Sequence, residues 1–279
     1  MAVTTSILAD VVAEVVGPDV DVLTVMPPGA DPHEFQASAR EADEVRGADA
    51  LVVNGGGFEE GLLDLVASVA EDGVPVHQVV ADDGRGDADD HASEDEHAHD
   101  DAHFFTDPVL MAEAVQDIAA FLAAEVEGID AAVLEQRADR LVEELEELDA
   151  DVRAVLADVP ESARVLVTGH DVLGPFAERY GFEVLGNVIP GGSTADGADA
   201  GELARLARLV RETGVPAIFV DESASDELAR TLADEVGDVE VVPLHTEALG
   251  EEGSGAEDYV GLIRTNAERI AAALAPRAP

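Results

Sequence analysis

Between residues 130 and 158, apolar side chains recur at Leu134, Ala138, Leu141, Leu145, Leu148, Val152 and Val155, and Val159 continues the series. The steps alternate between four and three. That spacing lays one apolar stripe along an α-helix and leaves the rest of its surface to solvent. At 1.5 Å per residue the helix is roughly 40 Å long, about the width of a domain. A stripe of that length needs partners along all of it, so the helix reads as a stiff connection between two lobes.

On either side of it, short apolar runs alternate with amphipathic stretches. In the first half, strands are expected over residues 2–7, 20–25, 49–53 and 74–80. Helices are expected over 8–16, from a Ser38 cap to 46, over 58–70, and from Asp107-Pro108 to about 126. The second half repeats the pattern, with strands over 164–168, 182–186, 217–221 and 239–244. Its helices are expected over 173–180, 199–213, 224–236 and 256–274. Strands alternating with helices imply parallel pairing, because each crossover returns the chain to the same end of the sheet. The expected fold class is therefore α/β: two doubly wound lobes with mostly parallel sheets. They occupy residues 1–128 and 160–279, joined by one long helix over 129–159, with a ligand site in the cleft. No short tandem repeat is visible.

One segment interrupts the order. Residues 82–101 are almost all Asp, Glu, Gly, Ala and His, without periodicity and with too few apolar residues to fold alone. They read as a mobile surface loop.

The chain carries 62 acids against 15 bases, a formal net charge of -47, and every base is Arg. Nucleic acid and anionic membrane surfaces would be repelled, which excludes both as partners. The acids are spread along the whole chain rather than gathered in a tail. This reads as adaptation to high salt, where screening makes self-repulsion tolerable. Without Cys, neither a disulfide framework nor a thiolate metal site is possible, and any metal must be held by imidazole and carboxylate. No apolar run is long enough to span a bilayer. No secretory leader is visible, since Met1-Ala2-Val3-Thr4 reads as a strand.

Eight His are present, and their placement matters more than their number. In open α/β sheets, ligands bind beyond the carboxyl ends of the strands. His33, His103, His170 and Glu247 each follow an expected strand, two from each half. If the lobes face each other through those ends, the four converge. Three imidazoles and a carboxylate suit zinc, and leave manganese(II) and iron(II) possible. A site filled by four protein donors has no position for an activating water, which favours transport over catalysis. His91, His97 and His99 in the acidic loop form a candidate accessory metal-catching set. His77 reads as an ordinary strand residue, and His245 as a neighbour that supports Glu247. Two rival readings are a zinc hydrolase with Glu247 as base and a receptor for an organic solute. The first lacks a His-Glu-x-x-His motif. The second lacks aromatic or Arg residues at the strand ends.

These residues also carry a family resemblance. Met26-Pro27-Pro28-Gly29-Ala30-Asp31-Pro32-His33-Glu34-Phe35 resembles the first ligand motif of the zinc/manganese receptors of ABC transporters, the ZnuA/TroA-like, cluster A-I proteins. His103-Phe104-Phe105-Thr106-Asp107-Pro108 is similar to the second, and Thr168-Gly169-His170-Asp171-Val172-Leu173-Gly174 to the third. Thr246-Glu247-Ala248-Leu249-Gly250, followed by Tyr259 and Asn266, resembles the fourth. The resemblance implies an extracytoplasmic, monomeric, non-enzymatic receptor that hands a divalent metal to an ABC permease and its ATPase. The acid excess marks a haloarchaeal-type member. A His-rich acidic loop before the second His, and His rather than Glu at the third position, imply Zn2+ over Mn2+. One departure stands out: where the family uses a carboxylate at the fourth position it is usually Asp, and here it is Glu247.

Overall fold

The computed structural model describes residues 1–81, 101–189, 193–194 and 200–275. The acidic segment with His91, His97 and His99 lies outside the described residues.

The first lobe has the order β1 (Ala2–Val3), α1 (Ser6–Val16), β2 (Leu23–Thr24), α2 (Ala39–Arg46), β3 (Leu51–Gly55), α3 (Leu63–Glu71), β4 (Val76–Val80) and α4 (Pro108–Glu125). The long helix α5 (Ala131–Leu156) follows. The second lobe comprises β5 (Val165–Thr168), α6 (Gly174–Tyr180), β6 (Glu183–Asn187), α7 (Ala200–Thr213), β7 (Ala217–Asp221), α8 (Glu227–Val236), β8 (Glu240–Leu244) and α9 (Tyr259–Leu274). Each lobe holds one four-stranded sheet, in the orders β2-β1-β3-β4 and β6-β5-β7-β8. Every strand pair is parallel. The second sheet thus repeats the strand order of the first.

Several boundaries differ from the sequence expectation, for identifiable reasons. The first strand is only Ala2–Val3, and α1 already begins at Ser6, because the Thr5 side chain accepts the Leu8 N–H and caps the helix. Helix α3 begins at Leu63 rather than 58: Gly55, Gly56 and Gly57 all have positive φ, and a short 3₁₀ turn over Glu60–Leu62 intervenes. Helix α9 begins at Tyr259 rather than 256, since Asp258 accepts the Gly261 N–H as its cap. Helix α8 begins at Glu227 rather than 224.

Helix α5 starts on an Asp130 cap and buries Leu134, Ala138, Leu141, Leu145, Leu148, Val152 and Leu156. Leu156 rather than Val155 is the fully buried residue of the last turn, and Val159, just past the helix, is buried as the series expects. Glu143, Glu144, Glu146 and Glu147 stay on its exposed side. Its buried side belongs to one continuous apolar core that includes α1, α4, α6 and α9 and residues of both sheets. Smaller clusters fill the outer faces of the second lobe and of the first.

Candidate metal centre

Each of the four expected ligands sits just past a strand's carboxyl end or in the segment that follows it. His33 lies beyond β2 and the Pro27-Pro28 turn, with its backbone N–H donating to Asp31 Oδ1 at 2.9 Å. His103 opens the 3₁₀ turn before α4; its carbonyl accepts the Thr106 hydroxyl at 3.0 Å, and its N–H donates to Asp101 Oδ1 at 2.7 Å. His170 stands two residues after β5, where Gly169 N–H donates to Phe219 O of β7 at 2.8 Å.

Glu247 follows β8 on a loop fixed from two sides. The Asn266 side chain on α9 accepts the His245 N–H at 2.9 Å and donates to the His245 carbonyl at 2.7 Å. Asp221, at the end of β7, accepts both the N–H and the hydroxyl of Thr246, at 2.9 and 2.7 Å.

The four side chains converge, all of them buried, and one ligand atom from each lies within 4.8 Å of the others. Glu247 is central: its side chain has no exposed surface. Oε1 lies 2.6 Å from His170 Nε2 and 3.6 Å from His103 Nε2, and Oε2 lies 3.6 Å from His33 Nε2. A tetrahedral zinc with bonds of about 2.0–2.1 Å separates its donors by about 3.4 Å, so the set is close to that size already.

None of these inward-facing atoms, the three Nε2 and both Glu247 oxygens, has a hydrogen bond of good geometry. A buried polar atom left this way costs about 1–3 kcal/mol. Five of them around one point form a donor set that fits a cation.

Electrostatics agrees. Burial alone would push Glu247 up, but contacts with His170 and His33 and the nearby His103 hold its carboxyl well below the usual carboxylate range. Burial alone would push His33 and His103 down. For His33 the close carboxylate of Glu247 prevails, and for His103 the carboxylates of Asp101 and Glu247 do, so both lie above the ordinary imidazole value.

The sequence reading missed several residues that shape this site. Phe58 packs edge-on against His33 and His103, with ring centroids 5.5 Å apart in each case. Glu60 Oε1 lies 3.5 Å from His33 Nδ1. Asp31 and Asp101 carried a visible signal, an Asp two residues before each of the two candidate ligands His33 and His103. Asn266 was already marked by the fourth motif, whereas Asp221, the other half of the clamp on the Glu247 loop, had no signal of its own. His77 stacks on Phe121, with centroids 5.0 Å apart, and is not part of the cluster. His245 faces Glu222 at 3.2 Å and contributes its backbone to the loop.

Residues 1–273 match the family described as zinc-uptake complex component A, periplasmic (ZnuA). The zinc-binding protein TroA of Treponema pallidum is 31% identical, over 98% of this chain and 87% of that protein. The manganese-binding lipoprotein MntA of Bacillus subtilis is 30% identical, over 97% and 88% respectively. The solved structure of the periplasmic zinc-binding protein TroA superposes with a TM-score of 0.85, covering 99% of this chain and 98% of that one at 29% identity. Two α/β lobes of parallel sheets, a buried three-imidazole, one-carboxylate cluster between them and a match along nearly the whole length place the chain plainly: it belongs to the ZnuA/TroA family of metal-binding substrate-binding proteins.

Proposed function

We propose that the protein is the extracytoplasmic receptor of a zinc ABC importer. It captures one Zn2+ through His33, His103, His170 and Glu247 and delivers it to a membrane permease driven by its ATPase. The observation that carries this reading is the set of five buried donor atoms gathered around a single point without a well-formed hydrogen bond. Three imidazoles with one carboxylate favour zinc over manganese, the alternative cargo, because manganese prefers a richer oxygen shell. All four donors come from protein, which suits reversible carriage better than activation of water. The chain works as a monomer divided at 1–128, 129–159 and 160–279, and its charge of -47 suits a saline exterior.

Elemental analysis of protein purified without added metal, followed by zinc titration of the stripped protein, tests the proposal. One tight zinc site per chain is expected, lost in both His33→Ala and His170→Ala. Normal zinc binding by both variants would refute the ligand set. Bound manganese with only weak zinc uptake would refute the choice of cargo.

A further inference from the structure

The two proposed ligand histidines of the first lobe, His33 and His103, share a local device. Each is preceded two residues earlier by Asp, in Asp31-Pro32-His33 and Asp101-Ala102-His103, and in each the carboxylate accepts the His backbone N–H, at 2.9 and 2.7 Å. An Asp that bonds the N–H two residues on fixes the backbone of the intervening turn. His170, in Thr168-Gly169-His170, and Glu247 lack the device.

The second unit goes further. The same Asp101 oxygen that holds the backbone also lies 3.4 Å from His103 Nδ1, at the back of the ring whose Nε2 faces Glu247. The middle residue is pinned as well, because Asn54 Nδ2 donates to the Ala102 carbonyl at 2.8 Å. On its other side the carboxylate meets the second lobe: a Cβ placed on Gly174, the first residue of α6, would come within 3.0 Å of Asp101 Oδ2. Asp101, half-buried, thus lies between the ring it serves, its own turn and the opposite lobe.

We propose that Asp101 is the positioning residue of His103. It accepts the Nδ1 proton, so that Nε2 presents its lone pair to the cargo, and it sets the angle of the ring through the backbone. The inference rests on the metal-site reading above. A carboxylate behind a metal-binding imidazole fixes the tautomer and strengthens the donor, and its loss commonly weakens metal binding tenfold to a hundredfold.

Asp101→Asn tests it, because the amide keeps an oxygen for the His103 N–H while losing the charge that holds the ring proton. Zinc affinity measured by chelator competition is expected to fall about tenfold to a hundredfold, with one zinc per chain still reached at saturation. The metal-free variant should melt where the wild type does. In zinc-loaded protein labelled with ¹⁵N at histidine, the His103 Nδ1–H resonance should move upfield as its charged acceptor disappears. Wild-type protein that binds one zinc tightly, with Asp101→Asn within twofold of it and an unmoved Nδ1–H, would overturn this inference and leave the proposed function standing. Wild-type protein that binds no divalent metal would overturn both.

Discussion

Asp10 sits on α1, where its Oδ2 accepts the Tyr259 N–H at 2.9 Å, joining the first lobe to the start of α9. Burial raises its pKa to about 6 from 3.8, with further upward pressure from Asp258, Glu14 and Glu144. A raised carboxyl pKa means that the folded protein holds a proton that the unfolded chain has already lost. Stability therefore falls as pH rises from 3.8 toward 6, and the deficit is complete above that. The shift corresponds to about 3 kcal/mol at most; partial solvent access reduces this to about 2 at pH 7.5 and about 1 at pH 5. Asp10→Asn keeps an oxygen for the Tyr259 N–H and removes the charge. It should stabilise the metal-free protein by about 2 kcal/mol at pH 7.5, or about 3–4 °C for a chain of this length. Thermal melts in 2 M KCl at pH 7.5 and at pH 5 measure it, and the gain should halve at the lower pH. A variant no more stable than wild type at pH 7.5, or one whose gain grows on acidification, would show that Asp10 is not a buried charge.

Zinc affinity should fall as pH drops from about 8 to about 6, because His must lose its proton to bind metal. The raised values of His33 and His103 start that loss above the ordinary imidazole range. Isothermal titrations showing a flat affinity would contradict this. Tyr259→Phe removes a buried hydroxyl that donates to the Phe105 carbonyl at 2.7 Å, across from the segment carrying His103. It should cost about 1–3 kcal/mol, read as a melting temperature lower by about 2–5 °C. A chain with net charge -47 should also melt lower as salt is reduced from about 2 M to about 0.1 M, where screening extends only over about 10 Å. A salt-independent melt by circular dichroism would refute the halophilic reading.

Much of the candidate site was legible because strand ends gather candidate ligands. His170 follows Val165–Thr168 at once and Glu247 follows Glu240–Leu244 closely, so topology alone points both at the cleft. The long helix was legible because its stripe is periodic over seven turns. Short polar turns hid more. Ser6-Ile7-Leu8 is as good a strand as a helix by hydrophobicity, and only the Thr5 cap decides between them. The turn after β3 places Phe58 against two histidines, while Glu59 accepts the N–H groups of Asn54 and Gly55 at 2.7 and 3.0 Å. Nothing in Gly55-Gly56-Gly57-Phe58-Glu59 signals that role, because it depends on contacts with residues far along the chain. The Asp221 contact fails to show for the same reason: its partner Thr246 lies 25 residues away along the chain.

The apolar core that threads α1, α4, α5, α6 and α9 does not respect the boundary between lobes. Its consequence is read most directly in amide hydrogen exchange. The buried-side amides of α5 should open only when the whole molecule unfolds, so they should share one exchange limit along all of Ala131–Leu156. A cargo that binds only the folded form should then slow every one of those amides by the same factor, however far they lie from the ion. The loops beyond the strand ends are where partial opening remains available.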